Sequence, residues 1–304
     1  MKQNVESTTC RQWLTKPIIV KFKPKILFIS KIAMPKKTKP DRRAQLILEK
    51  FQCYGITILI TPAYLWFHVT VVLPKLLKLS YINPYTYGFH IFFSTYSWIN
   101  IAGNMLLSML TDPRLKAYRG PGVYCEHCEQ NRPEDTWHCS ICNACIVRRD
   151  HHCCFLSHCV GRKNLRYFIC MLGHLMISIP YFMCYTFLVI SSEFDINLFV
   201  QTTFVIINPY YIYNIPDPPD LEKILLVLFW YIDLLLLPFS IIFVFFHMRN
   251  ALRGLTAYEY LKGKAPTGVH WKSNLQYVFG TRWRLVMLWP FLNSPLPGTR
   301  TSFI

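Results

Sequence analysis

Between residues 125 and 168 the chain sets cysteines and histidines at metal-binding intervals. The stretch holds eight of the twelve cysteines and five of the ten histidines. It opens Cys125-x2-Cys128-x9-His138-Cys139-x2-Cys142-x2-Cys145, continues Asp150-His151-His152-Cys153, and closes on Cys159. A Cys-x2-Cys pair lets two thiolates of one turn reach one ion, and Zn²⁺ takes four N or S donors tetrahedrally. Outside the Cys153-Cys154 pair there are six cysteines: Cys125, Cys128, Cys139, Cys142, Cys145 and Cys159. With two histidines they make eight donors, enough for two sites of three Cys and one His. His138 and Cys139 are neighbours, which favours interleaved over sequential sites. Spacing does not choose between His151 and His152 as the second imidazole donor. His127 and His158 are spare, and the plain expectation for both is a surface histidine. A module of this size with few core residues needs such cross-links to fold.

A structural metal module has no use for a further nucleophile and base. Asp150, His151 and Cys153 are therefore the informative remainder. A thiolate is a good nucleophile near neutral pH, an imidazole can take its proton, and a carboxylate can fix the imidazole tautomer. The alternative is that these are spare polar groups on a metal-bound loop.

The rest of the chain must hold this module in place. Of 304 residues, 52% are hydrophobic and 16% charged, the mean hydropathy is +0.23 and the net charge is +17. An ordinary soluble domain carries about 25% charged residues, so apolar blocks separated by basic connections are expected. Four long apolar segments fit: about 53–74, 89–110, 167–190 and 224–246. Each supplies the roughly 20 residues that cross a ~30 Å hydrocarbon layer. The fold class is thus an all-α membrane protein of four transmembrane helices, with the cysteine-rich module between helices 2 and 3. The divisions are a basic tail over 1–52, helices 1 and 2 over 53–110, the module over 111–166, helices 3 and 4 with a lumenal loop over 167–246, and a C-terminal region over 247–304.

Lys and Arg number thirteen in 1–52, nine in 111–166 and eight from 247 onward, against two in 75–88 and one in 192–223. The positive-inside rule places both termini and the module in the cytosol. The run Lys36-Lys37-Thr38-Lys39 through Arg42-Arg43 is either part of a plain basic tail or a segment drawn to anionic lipid. Residues 198–207 are apolar but short, and are expected as lumenal loop. Asp233, inside the fourth segment, should face the bundle and find a partner. Pro180 and Pro238 are candidate kinks. Clustered cysteines beside histidines, without a signal peptide, point to metal in a reducing compartment rather than to disulfides.

The module resembles that of the DHHC protein S-acyltransferases (palmitoyltransferases). The family pattern Cx2Cx9HCx2Cx2Cx4DHHCx5Cx4Nx3F is met at every spacing, through Asn164 and Phe168. The four-span layout is similar too, so the resemblance covers about 50–290. It implies a Cys153 nucleophile that takes a fatty acyl group, such as palmitate, from acyl-CoA and passes it to cytosol-facing cysteines of substrate proteins. His151 would be the base, oriented by Asp150. Two structural Zn²⁺ would be held, one by Cys125, Cys128, His138 and Cys145, the other by Cys139, Cys142, His152 and Cys159. The helices would form a cavity for the acyl chain, in an endoplasmic reticulum or Golgi membrane. Arg148, Arg149, Arg162 and Lys163 are candidate partners for the CoA phosphates.

Three motifs depart from the family. Cys154-Phe155 stands where Pro-Trp is usual, Asp112-Pro113-Arg114 where Asp-Pro-Gly is, and Thr256-Ala257-Tyr258-Glu259 where Thr-Thr-x-Glu is. In the family the last motif supports the Asp of the dyad, so Ala257 keeps alive a second reading: a weak or inactive membrane zinc module acting as an adaptor. A nucleic-acid reader is disfavoured, because the spacing lacks the H-x3-5-H pair of a DNA-reading finger.

Overall fold

The computed structural model of the chain describes residues 42–298. The lysine run at 36–39 and the rest of the basic tail before residue 42 lie outside the described residues. From Arg42 the chain is already helical. A rod is built from α1 (Arg42–Tyr54), α2 (Thr61–Phe67) and α3 (Leu73–Lys78), joined by π-turns at Gly55–Ile60 and His68–Val72. Each widened turn leads into a proline, Pro62 or Pro74, at the start of the next piece. A proline removes one amide from the ladder and crowds the carbonyl a turn earlier, which a wider turn relieves.

After a short turn, α4 (Pro84–Leu110) returns antiparallel. Asn83 caps its start by accepting from the Thr86 amide at 2.9 Å. The metal module follows as three hairpins: β1 (Val123–Cys125) with β2 (Gln130–Arg132), β3 (Thr136–Cys139) with β4 (Ala144–Val147), and β5 (His151–Cys153) with β6 (His158–Val160). Then come α5 (Leu165–Glu193), α6 (Ile196–Ile207), α7 (Leu221–Leu252), α8 (Ala257–Leu261) and α9 (Trp271–Phe279).

Among the described residues, three helices are long and apolar enough to cross a membrane: Ala44–Lys78, Leu165–Glu193 and Leu221–Leu252. The second expected span, α4, is 27 residues long but is not among them. It carries a buried polar stripe, His90, Ser94, Ser97, Asn100, Asn104 and Ser108, spaced three or four residues apart and so on one face. Ser94, Asn100 and Asn104 donate to carbonyls one turn back, and His90 meets the Tyr181 hydroxyl of α5 at 2.9 Å. The stripe lowers the helix's hydropathy without exposing polar groups outward.

Residues 196–207 form a 12-residue helix rather than a loop. Their apolar side chains favour helix over irregular backbone, and at roughly 18 Å they are too short to cross. Pro180 and Pro238 lie inside unbroken helices. Asp233 has its partner: the Tyr64 hydroxyl donates to its Oδ2 at 2.6 Å across the rod–α7 contact. At the end far from the hairpins, Lys75 ties three helices together, meeting Glu193 at 2.6 Å and Glu222 at 2.5 Å.

Candidate functional site

Each hairpin turns on a left-handed residue: Glu129, Asn143 and Ser157, with φ of 51°, 50° and 59°. These are fourteen residues apart, and so is nearly everything else in the module. Cys125, Cys139 and Cys153 take the same place in the three hairpins, paired across to Gln130, Ala144 and His158. His138 and His152 repeat at fourteen, as do Cys128 and Cys142, and Cys145 and Cys159. The distances repeat as well. Cys125 Sγ to His138 Nδ1 is 3.8 Å, as is Cys139 Sγ to His152 Nδ1. Cys128 and Cys142 stand 3.3 and 3.2 Å from those nitrogens, and Cys128–Cys145 and Cys142–Cys159 are both 3.6 Å.

These separations are those of tetrahedron edges around an ion with bonds of about 2.0–2.3 Å. Both four-residue groups have ligand atoms within 4.8 Å of one another and fit a metal ion. The interleaving expected from adjacent His138 and Cys139 is present: strand side chains alternate, so β3 sends one donor to each group. The geometry also separates the two histidines. His152 faces the sulfurs of its group, whereas His151 Nδ1 is 2.8 Å from Asp150 Oδ2.

In the third hairpin the position matching Cys128 and Cys142 is Leu156, 1% exposed. Cys153 thus sits in the fold of a metal-binding knuckle without the second thiol. Its surroundings are apolar: it belongs to the buried cluster of Leu156, Phe168, Ile169 and Val244, beside Phe239 and Phe243. The His151 side chain hydrogen-bonds to it. Burial alone would lower the His151 pKa, but Asp150 and Cys153 raise it to about 9. Burial would raise the Asp150 carboxyl, but His247, His151 and the Ala257 amide hold it below the usual carboxylate range. The arrangement can deprotonate a thiol and hold the resulting charge.

Several contributors were not apparent from the motif. Glu49, 5% exposed on α1, accepts from His152 Nε2 at 2.9 Å, while Gln45 holds its other oxygen at 2.8 Å. Nothing local marks Glu49, which lies in the segment read as basic tail. Ala257 lacks a hydroxyl, yet its backbone N–H donates to Asp150 Oδ1 at 2.7 Å. Thr256 and Glu259 form a capping box that starts α8 and aims that amide. His247, near the end of α7, lies against Asp150. A lone histidine immediately after the fourth apolar segment was the available signal.

Two expectations need correction. Arg148 and Arg149 are 4% and 6% exposed. Arg148 pairs with Glu259 at 3.0 Å and donates to the Gly254 carbonyl, and Arg149 donates to the His138 carbonyl. Arg162 is half-buried and donates to the Pro297 and Gly298 carbonyls, leaving Lys163 as the exposed member of the four. A strand-rich module packed on helix ends draws its cations inward to cap carbonyls. His158 is also not a surface group. Its ring nitrogens meet the Cys159 and Met109 carbonyls at 2.9 and 2.8 Å, fastening the third hairpin to α4. His127 is exposed and stacks on His138 at 4.7 Å.

Residues 119–264 match a family model described as DHHC palmitoyltransferase. The chain is 31% identical over 234 residues to the rat protein named probable palmitoyltransferase ZDHHC24, covering 73% of this chain and 80% of that one. The human protein of that name is 31% identical over 249 residues, with the same coverage. The rat protein named palmitoyltransferase ZDHHC22 is 30% identical over 209 residues, covering 67% of this chain and 76% of that one.

Proposed function

The chain belongs to the DHHC palmitoyltransferase family, and we propose that it carries a fatty acyl group from acyl-CoA, through a thioester on Cys153, to cysteines of substrate proteins. It is a protein S-acyltransferase by family and a multi-pass membrane protein by its apolar helices. The observation that carries the residue assignment is the third hairpin. It presents Cys153 free of either metal group, hydrogen-bonded to a His151 that Asp150 holds through Nδ1.

His151 takes the Cys153 proton as sulfur attacks the thioester carbonyl. A C–S bond forms at Cys153, the bond to the CoA sulfur breaks, and CoA leaves as the thiol with the proton from His151. A substrate cysteine then gives its proton to His151 and attacks the acyl-enzyme, and Cys153 leaves and is reprotonated. One thioester is exchanged for another at each step, so each transfer is close to thermoneutral, and the covalent acyl-enzyme gives ping-pong kinetics. Cys153 shares a buried apolar cluster with Phe168, against which Phe239 and Phe243 pack, and this supports an acyl tail entering between the helices. Among the four candidate cations, Lys163 is the one whose exposure suits the CoA phosphates.

Cys125, Cys128, His138 and Cys145 would hold one Zn²⁺, and Cys139, Cys142, His152 and Cys159 the other, as cross-links that fix the hairpins. We take α4 to cross the membrane as a fourth span. Cys53, near the end of α1, touches Met109 at the end of α4, at 3.2 Å, while the rod from Cys53 onward and α4 meet at their other ends at the 79–83 turn. The two therefore run the same depth. The Lys/Arg distribution supports a cytosolic module and termini, and the family resemblance an endoplasmic reticulum or Golgi membrane. The adaptor reading is not favoured, since the Ala257 amide reaches Asp150 without a side-chain hydroxyl.

Purified protein given labelled palmitoyl-CoA should form a hydroxylamine-sensitive adduct that Cys153→Ser abolishes. No adduct on metal-replete wild type, or an adduct unchanged in Cys153→Ser, overturns the assignment.

A further inference from the structure

Asp150 is 1% exposed, so its carboxylate must be neutralised and oriented by protein groups alone. Oδ1 accepts from the Ala257 amide at 2.7 Å and Oδ2 from His151 Nδ1 at 2.8 Å. A second imidazole meets the same Oδ2: His247 Nδ1 lies 3.3 Å away. That is ion-pair reach, and Nδ1 makes no hydrogen bond among the described residues. His247 comes from α7, far from the hairpin in sequence, and is 3% exposed.

Its ring is held on several sides. Phe243 stacks on it at 6.0 Å and 27°, and Phe246 meets it edge-on at 5.1 Å. Phe168 of α5 meets both imidazoles edge-on, 5.2 Å from His247 and 4.9 Å from His151, and the two imidazoles stand 5.6 Å from each other. A side chain so enclosed has one orientation to offer, and groups on rigid helices place their partners more closely than groups on loops. Ala257 offers Asp150 only a backbone donor, which fixes Oδ1. The angular position of Oδ2, and hence of His151, is left to the imidazoles.

We propose that His247 is a positioning residue for acyl transfer: its Nδ1 edge holds Asp150 in the orientation that presents His151 to Cys153. This rests on the reading of Asp150, His151 and Cys153 given above, and it links the end of the last span to the reacting thiol. His247 touches neither substrate nor thiol in this role, so its effect should appear in the rate of Cys153 chemistry and not in acyl-CoA binding.

Two substitutions in the full-length membrane protein separate the Nδ1 edge from the ring. His247→Phe keeps the stacking on Phe243 and Phe168 and removes the nitrogen. His247→Asn loses the ring but places an amide nitrogen near the position of Nδ1. Three quantities are measured: the single-turnover rate of Cys153 acylation with the KM for palmitoyl-CoA, the rate of Cys153 alkylation by iodoacetamide, and metal content as a control for folding. The expected result is a 10–100-fold slower acylation in His247→Phe, of the order general-base assistance supplies, with KM within about 2-fold and slower alkylation. His247→Asn should recover to within about 5-fold of wild type on the same scale, with metal content unchanged in both. His247→Phe matching wild type overturns the proposal. So do equal losses in both variants, because ring shape is then what matters. Absence of acylation in the wild type overturns the functional reading instead, and the alkylation rates still decide the role of His247.

Discussion

Glu49 Oε2 and His152 Nε2 lie 2.9 Å apart, joining the helix that begins the first span to the imidazole of the second metal group. The other nitrogen of His152 faces the sulfurs of Cys139, Cys142 and Cys159. A carboxylate behind a ligand histidine fixes its tautomer and raises its basicity, and removing one commonly costs 10–100-fold in metal affinity. Glu49→Ala should therefore release zinc to a colorimetric chelator about 10-fold faster or more on that scale, from one of the two sites. Release of both ions at the wild-type rate would remove Glu49 from the metal centre.

Ala257 is the first residue of α8, following the extended Thr256 cap. Proline is well accepted at that helix position, and the residue before it is already extended. Ala257→Pro consequently deletes one feature, the N–H that donates to Asp150 Oδ1. Acylation should slow by about 10-fold or more, the scale for loss of a charge-assisted hydrogen bond of ~1.5–3 kcal/mol, with metal content retained. Ala257→Gly, which keeps the N–H, serves as the control and should stay near wild type.

The buried pair of Arg148 and Glu259, 3.0 Å apart, carries a pH dependence. Burial would raise the Glu259 carboxyl, but Arg148 and the Thr256 amide hold it below its ordinary value. A depressed folded pKa means that the pair's contribution is full above the unfolded carboxyl pKa of about 4.3 and is lost as pH falls through the folded value. Stability near neutral pH should thus be flat with respect to this pair and decline in acid. Glu259→Gln keeps a capping side chain but strands the Arg148 charge, at about 3 kcal/mol. Hydrogen exchange over 253–264 should show that loss at pH 7, and wild type should approach the variant only in acid.

The sequence made eight metal donors countable, and the adjacency of His138 and Cys139 favoured interleaving, but the division into two sets came from the family resemblance and not from spacing. The sequence made three of the apolar helices legible through a single dominant constraint. Where constraints competed, the reading was less direct. Helix α4 is less apolar than a span usually is because its polar stripe is turned inward. Arg148 and Arg149 looked like phosphate ligands because composition shows charge and not the carbonyls and carboxylate that claim it. Glu49 was invisible as a site residue because it lies in a stretch read as basic tail, and His247 offered only a lone histidine at the edge of an apolar segment. Ala257 misled in the opposite direction: a side-chain motif suggested loss, while the contact is made by backbone, which no residue type can advertise.

The fourteen-residue repeat suggests an origin for Cys153, the proposed nucleophile. Two copies are complete, and the third stops after its first thiol, with Leu156 in place of the second and the remaining positions falling on Arg166 and Gly173 of α5. Tandem duplication of a metal-binding unit, cut short by the start of a helix, would leave this pattern. Cys153 would then be an orphaned ligand, shaped by selection for gripping a cation and redeployed to grip a carbonyl carbon. On that view reactivity arose by subtraction: the two intact copies supply stiffness, and the truncated one supplies a sulfur whose electrons no metal has claimed.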